Sequence, residues 1–125
     1  LAKRVVERAV DYLKASGDFK RADIRVRASQ ALAKCEAARM LTYRVLDDRA
    51  RGMPPGPEAS LARVAVGAAE RTATEFVIEF VPEALADADD LLYQHHQRAI
   101  TATIAAGAAE IQLNLIASQL LRLPR

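Results

Sequence analysis

Few side chains in this sequence are of a type and spacing that could do chemistry. His95 and His96 are adjacent imidazoles, a type that binds metals or moves protons. On a helix, neighbours point about 100° apart at roughly 3.6 residues per turn, so the two rings do not converge on one ion. Neither has a carboxylate or thiol four residues further on. The pair reads as helix-surface or interface residues, with a small-ligand site on either ring as the sharper alternative. Cys35 is the single cysteine; it shares an apolar stripe with Leu32 and Ala38, and no histidine stands near it in sequence. That pattern marks a buried structural thiol rather than a nucleophile. Glu110 sits near the start of the last helix, placed to cap or pair there. Arg39, Arg44 and Arg49 recur at a spacing that does not line one helix face, and read as solvated or interface charges.

Composition excludes several functions. The 18 basic and 16 acidic residues leave a net charge of +2 without blocks of one sign, so there is no electrostatic footprint for nucleic acid. One cysteine allows no internal disulfide framework, and no Cys/His spacing supports structural zinc, which favours a reducing, cytoplasmic compartment. Uncharged stretches such as 113–121 are too short and too polar to span a bilayer. No signal peptide is visible, although an opening of Leu1-Ala2-Lys3 reads as the cut end of a longer chain. With 125 residues, 51% of them apolar, the chain can build one domain with a modest core.

The elements that must position these side chains are helical. Alanine is the commonest residue and β-branched residues rarely run together, so the intrinsic preference is for helix. Ala2, Val5, Val6, Ala9 and Leu13 recur at helical spacing, and Ser16-Gly17-Asp18 supplies a stop. A second helix is predicted from near Asp23, placed to cap it, to about Arg51, with a face of Ala28, Leu32, Cys35, Ala38, Thr42, Val45 and Leu46. The prolines of Met53-Pro54-Pro55-Gly56-Pro57 interrupt it, and a third helix opens at Pro57 with Glu58 in its first turn. Its stripe is Leu61, Ala65, Ala69, Ala73, Phe76 and Phe80. Pro82 ends it, and Glu83 to Asp90 reads as an acidic connection. Leu92, His96, Ala99 and Thr103 carry a shorter fourth helix that breaks near Ala106-Gly107. A last helix, roughly 109–121, carries Ile111, Leu115, Ile116 and Leu120. The fold class is all-α: an up-down antiparallel helical bundle of four main helices plus a short one. Alanine faces bury little area each, at about 25 cal/mol per Å². The second and last helices also carry apolar residues on more than one face, so the bundle is expected to lean on neighbouring protein.

Separated stretches of the chain, taken in order, resemble one family. They are Ala33-Lys34-Cys35-Glu36-Ala37-Ala38-Arg39-Met40-Leu41-Thr42-Tyr43-Arg44, then Pro54-Pro55-Gly56-Pro57-Glu58-Ala59-Ser60-Leu61-Ala62, and then the stretch from His96 onward. In the last, Gly107 stands in a turn ahead of Glu110-Ile111-Gln112, and the chain closes on Leu123-Pro124-Arg125. With the first helix included, nearly the whole chain is similar to the C-terminal helical domain of bacterial acyl-CoA dehydrogenases. The resemblance implies that residues 1–125 are one domain at the C-terminal end of a longer FAD-dependent protein. Such a protein removes two hydrogens from the α and β carbons of an acyl-CoA thioester, fatty or sterol-derived; flavin N5 takes the hydride and a carboxylate takes the proton. It also implies a homo- or hetero-oligomer of dehydrogenase subunits in which this bundle forms the core and reaches a neighbour's FAD. Gly107, Gln112 and Phe19 are then the cofactor-binding positions, Gln112 through an amide that can donate to the flavin or its ribityl chain.

The departures from the family pattern are as informative. Ala106 occupies a family base position and cannot take a proton, while the base that other members carry on the first helix would fall upstream of Leu1. No catalytic residue and no metal ligand is therefore expected in this chain. Gly107-Ala108 replaces a glycine-threonine pair, and Ser16 stands where an arginine precedes the phenylalanine matched by Phe19. The segment from Val81 to Asp90 is acidic where a glycine-rich turn is the pattern, and Asp87, Asp89 and Asp90 would be unfavourable beside an anionic cofactor. The sequence is thus similar to the reduced subunit of heteromeric members that act on bulky side chains. The isolated chain is expected to be inert, and the alternative is a non-catalytic interaction subunit that has lost flavin chemistry.

Overall fold

The computed structural model describes residues 1–105 and 109–124, with side chains described for 1–99 and 109–124. The helices, in order, are α1 (Ala2–Ser16), α2 (Ala22–Ala50), α3 (Pro57–Phe80), α4 (Leu91–Ala105) and α5 (Ala109–Leu115), the last continuing as a wider π-type turn over Ile116–Leu120. Short 3-10 turns at Asp18–Lys20 and Pro82–Ala86 join α1 to α2 and α3 to α4. Among the described residues there is no strand, so the fold is the all-α bundle that the composition predicts.

Each boundary has a local cause. Gly17 ends α1 at φ 87°, a left-handed conformation in which its N–H reaches the Lys14 carbonyl. Gly52 does the same for α2 at φ 74°: its amide bonds the Arg49 carbonyl and that of Met53 bonds Asp48, the paired closure that satisfies a helix's last carbonyls. Gly56 is extended ahead of Pro57, which opens α3 at the position where a missing N–H costs nothing. At the start of α2 the structure differs from the sequence reading. Arg21, not Asp23, takes the cap position, and no side chain caps the helix. The Asp23 carboxylate lies inside the first turn, held by the Arg21 guanidinium at 2.6 Å.

Packing follows the lengths of the helices. α3 touches every other main helix and shares its most extensive interface with α2. Arg27 pairs with Glu79 at 2.7 Å and Lys34 donates to Thr72 at 3.1 Å, contacts two turns apart on both helices, so α2 and α3 run antiparallel in one continuous register. α1 covers only the first part of α2: its N-terminal turn ends at the Lys3–Glu36 ion pair, 2.7 Å long. That explains where burial on α2 stops. Ile24, Ala28, Ala31, Cys35 and Ala38 are buried, whereas Leu46, placed by periodicity on the same stripe, is 54% exposed because α1 does not extend over it. On α3 the buried face is Ala62, Ala69, Ala73, Phe76 and Val77, with Phe80 partly buried and tilted against Phe76 at 5.2 Å between ring centroids. Val5, Val6, Leu13, Ile24, Phe76 and Leu92 supply most of the large apolar core, each worth about 1.5–3 kcal/mol when fully buried.

Candidate functional site

The halves of α2 and α3 that α1 leaves uncovered, together with α5 lying along α3, enclose an open groove of about 710 Å³. Val45 and Leu46 line it from α2, Ala62 and Val66 from α3, and Gln112 and Leu113 from α5. Gln112, singled out in the sequence, is therefore a partly buried amide in the wall of a real cavity. Phe19 is elsewhere. It is partly buried at the α1–α2 corner, with the Lys14 ammonium 5.6 Å from its ring centroid and Arg25 donating to its carbonyl at 3.5 Å. Ala106 and Gly107 lie outside the described residues.

Beside the groove is a polar cluster built on His95, which the sequence reading placed on a helix surface or interface. His95 is 1% exposed. Its Nε2 donates to Glu70 Oε2, and its Nδ1 lies 3.3 Å from Thr74 Oγ1, which is placed to donate to it. These roles fix the tautomer that carries the proton on Nε2. The correction comes from the face α4 turns to α3: Leu92 and His95 point inward three residues apart, so the stripe passes through His95 rather than His96. His96 is partly buried, and its Nδ1 has no hydrogen-bond partner among the described residues. The hydrogen bond from His95 holds the Glu70 carboxyl below the usual range against the upward push of burial, and the nearby charges of Arg98 and the Leu1 amino group act in the same direction. Burial pushes the Cys35 thiol up, and the negative charge of Glu70 adds to that shift. A thiol held in its neutral form is the structural cysteine expected.

Hydroxyl, imidazole and carboxylate in sequence have the connectivity of an activated nucleophile. The geometry here serves another purpose. Glu70 and Thr74 stand one turn apart on the same helix and the buried imidazole of α4 bridges them, while neither the groove nor the smaller cavity beyond it reaches Thr74. The cluster bolts α4 to α3. Among the described residues no three His, Cys, Asp or Glu side chains converge as a metal site requires.

A second tie fixes the N-terminal start of α4, and sequence reasoning missed it. Asp90, 7% exposed, accepts from the Leu92 amide and the Tyr12 hydroxyl, both at 2.8 Å, and from Arg8 at 3.4 Å. Burial pushes its carboxyl up, but these donors outweigh it and hold the group below the ordinary range. The signal was present: an Asp directly before an apolar-periodic helix is a cap. The acidic segment before α4 is thus partly internal structure, with Asp90 capping the helix and Asp87 accepting from the Asp89 amide at 3.0 Å.

The flavin implied by the resemblance would need Phe19, Gly107 and Gln112 around one cofactor. Phe19 does not border the groove that Gln112 lines. The stretch of α2 from Ala22 to Lys34, the nearest lining residue on that helix, spans about 18 Å at 1.5 Å per residue. Within one copy the described residues build no common cradle for a flavin, and no chemical step through one follows from them. No helix among the described residues is long and apolar enough to cross a membrane.

No curated protein and no solved structure matches the chain. Residues 1–121 match the family profile described as acyl-CoA dehydrogenase, C-terminal domain. This match covers almost all of a bundle already shown to be all-α, and the chain belongs to the acyl-CoA dehydrogenase family as its C-terminal helical domain.

Proposed function

We propose that this domain is the oligomer-forming, flavin-adjacent part of an acyl-CoA dehydrogenase-like protein whose whole chain carries out α,β-dehydrogenation of acyl-CoA thioesters. The observation that carries this reading is the outward face of α2. Val26, Ala33, Ala37 and Met40 follow one another at helical spacing, all exposed, with Tyr43 continuing the patch at 53% exposure. An apolar stripe of this length on a helix already packed on its other side suits burial against another subunit. The separation of Phe19 from Gln112 supports the same reading, since residues from two copies could meet around one FAD where residues of one copy do not. The single buried thiol suits a cytoplasmic setting. As an isolated chain the domain is inert, because no acid or base stands at Ala106.

A second reading, a non-catalytic subunit that pairs with an active one, is favoured by Ala106 and by the acidic segment ending at Asp90. Light scattering with flavin titration tests the proposal. The chain should self-associate, Met40→Glu should return it to monomers, and FAD should be retained by the oligomer but not by the monomeric variant. Self-association without flavin retention would leave the non-catalytic reading, and a monomer at every concentration would remove the oligomer-forming role.

A further inference from the structure

α4 is attached to the bundle in a different way from α1, α2 and α3. Those three meet through apolar side chains, with Val5, Val6, Leu13, Ile24, Phe76 and Val77 buried in one cluster. The ion pairs that join them, Lys3–Glu36 and Arg27–Glu79, lie at exposed positions, where such pairs contribute little. The buried polar residues among those described, Asp90 and His95, both belong to α4 and its cap. Asp90 faces Tyr12 and Arg8 from α1 and the Leu92 amide of α4 itself. Glu70, the acceptor for His95, faces His95 and Arg98 from α4, Cys35 from α2 and the Leu1 amino group ahead of α1. α4 is thus tied to α1 by one carboxylate and to α3 by another.

We propose that α4 is an acid-released strap: protonation of Asp90 and Glu70 frees it from α1 and α3 while the core of α1, α2 and α3 stays folded. A neutral Asp90 carboxyl gives up its charge-assisted bonds from Tyr12 and Arg8 and stays desolvated, and a neutral Glu70 no longer offers the His95 Nε2–H a charged acceptor. Hydrogen bonds to a charged group are the stronger kind, so the loss is concentrated at α4. Acid also neutralises Glu36 and Glu79, but their exposed pairs hold helices that apolar packing already joins. Among the described residues, the large apolar side chain that α4 fully buries is Leu92, so apolar packing secures it less well than it secures the other three. An element held this way opens below the global unfolding transition. In the folded chain both carboxyls titrate below their ordinary values, about 4.3 for Glu and 3.9 for Asp, so the ties hold at neutral pH and weaken from about pH 5 downward.

Hydrogen-exchange mass spectrometry of the whole chain in steps from about pH 5.5 to about pH 3.5, with intrinsic exchange rates corrected for pH, tests the proposal. Segments within 91–99 should lose about tenfold or more in protection at a pH where segments of α2 and α3 keep theirs, the scale of a lost charge-assisted contact. Asp90→Asn/Glu70→Gln keeps an acceptor for the Leu92 amide and for His95 but cannot take up the protons, so the acid-driven loss at α4 should shrink. Arg27→Gln, which removes an exposed pair between α2 and α3, should leave the release of α4 where it is. Loss of protection in all helices together, protection of α4 that outlasts that of α2 and α3, or an undiminished acid response in the double variant would each overturn the proposal. The wild-type profile decides the order of opening by itself, whether or not the double variant folds.

Discussion

The Tyr12 hydroxyl donates to Asp90 at 2.8 Å, so a residue near the end of α1 holds the residue that caps α4. Asp90→Ala would leave that hydroxyl and the Leu92 amide without their acceptor, losing a helix cap and a hydrogen bond to a charged group. The expected cost is about 2–4 kcal/mol. Tyr12→Phe removes one donor only, and should cost about 0.5–1.5 kcal/mol. Urea denaturation of the two single variants and the double variant measures the coupling, and a coupling energy of zero would mean the contact carries no stability.

The bolt between α3 and α4 makes a different prediction. His95→Leu leaves the Glu70 carboxylate beside the core without its donor, and should destabilise by about 3–5 kcal/mol. Glu70→Leu/His95→Leu removes both partners and should recover most of that loss, because the penalty arises from the unpaired carboxylate rather than from the absence of the pair. If the double variant is as unstable as the sum of the singles, the two side chains do not interact.

Some of this was legible in the sequence and some was not, for physical reasons. The stop at Gly17 and the start at Pro57 follow from local residue chemistry and the buried Cys35 from helical periodicity, whereas Gln112 was singled out through the family resemblance and its place in the groove depends on three helices. His95 and Leu46 were misplaced because both depend on another helix. Periodicity finds a stripe, but which of two adjacent residues faces inward depends on how α4 rotates against α3, and burial on α2 stops where α1 ends. Glu70 escaped notice because a glutamate in an alanine-rich helix becomes chemically distinctive only beside His95. Asp90 was visible as a cap but was read as part of an acidic run.

The face assignment of α3 is tested by neighbours with opposite surroundings. Phe76 is 2% exposed and stacks near Phe80, so Phe76→Ala should cost about 3–5 kcal/mol through lost burial and the cavity left behind. Ile78, two residues along, is 48% exposed, and Ile78→Ala should change stability by no more than about 0.5 kcal/mol in the monomer. Thermal melts of both variants at a concentration below self-association make the comparison; similar losses would mean that α3 is rotated from the orientation described.

Acid should loosen the bundle through its two anchored carboxylates. Glu70 and Asp90 both titrate below their ordinary values in the folded chain, Glu70 through the hydrogen bond from His95, and Asp90 through the Leu92, Tyr12 and Arg8 donors that outweigh its burial. In an unfolded chain these groups protonate near about 4.3 and 3.9. A depressed folded value means that the unfolded state takes up protons first, so the stabilisation is fully present above the unfolded values and is lost as pH falls through the folded ones. Unfolding free energy should therefore drop from about pH 5 downward. Glu70→Gln keeps a carbonyl that can accept from His95 but removes the proton uptake, so its curve should start lower at neutral pH and fall less steeply in acid. Urea denaturation in steps from pH 7 to pH 3 compares the slopes. Parallel curves for wild type and Glu70→Gln would show that the Glu70 carboxyl titrates alike in the folded and unfolded chains, and would leave the acid response to Asp90 and to the exposed, ion-paired Asp23 and Glu36.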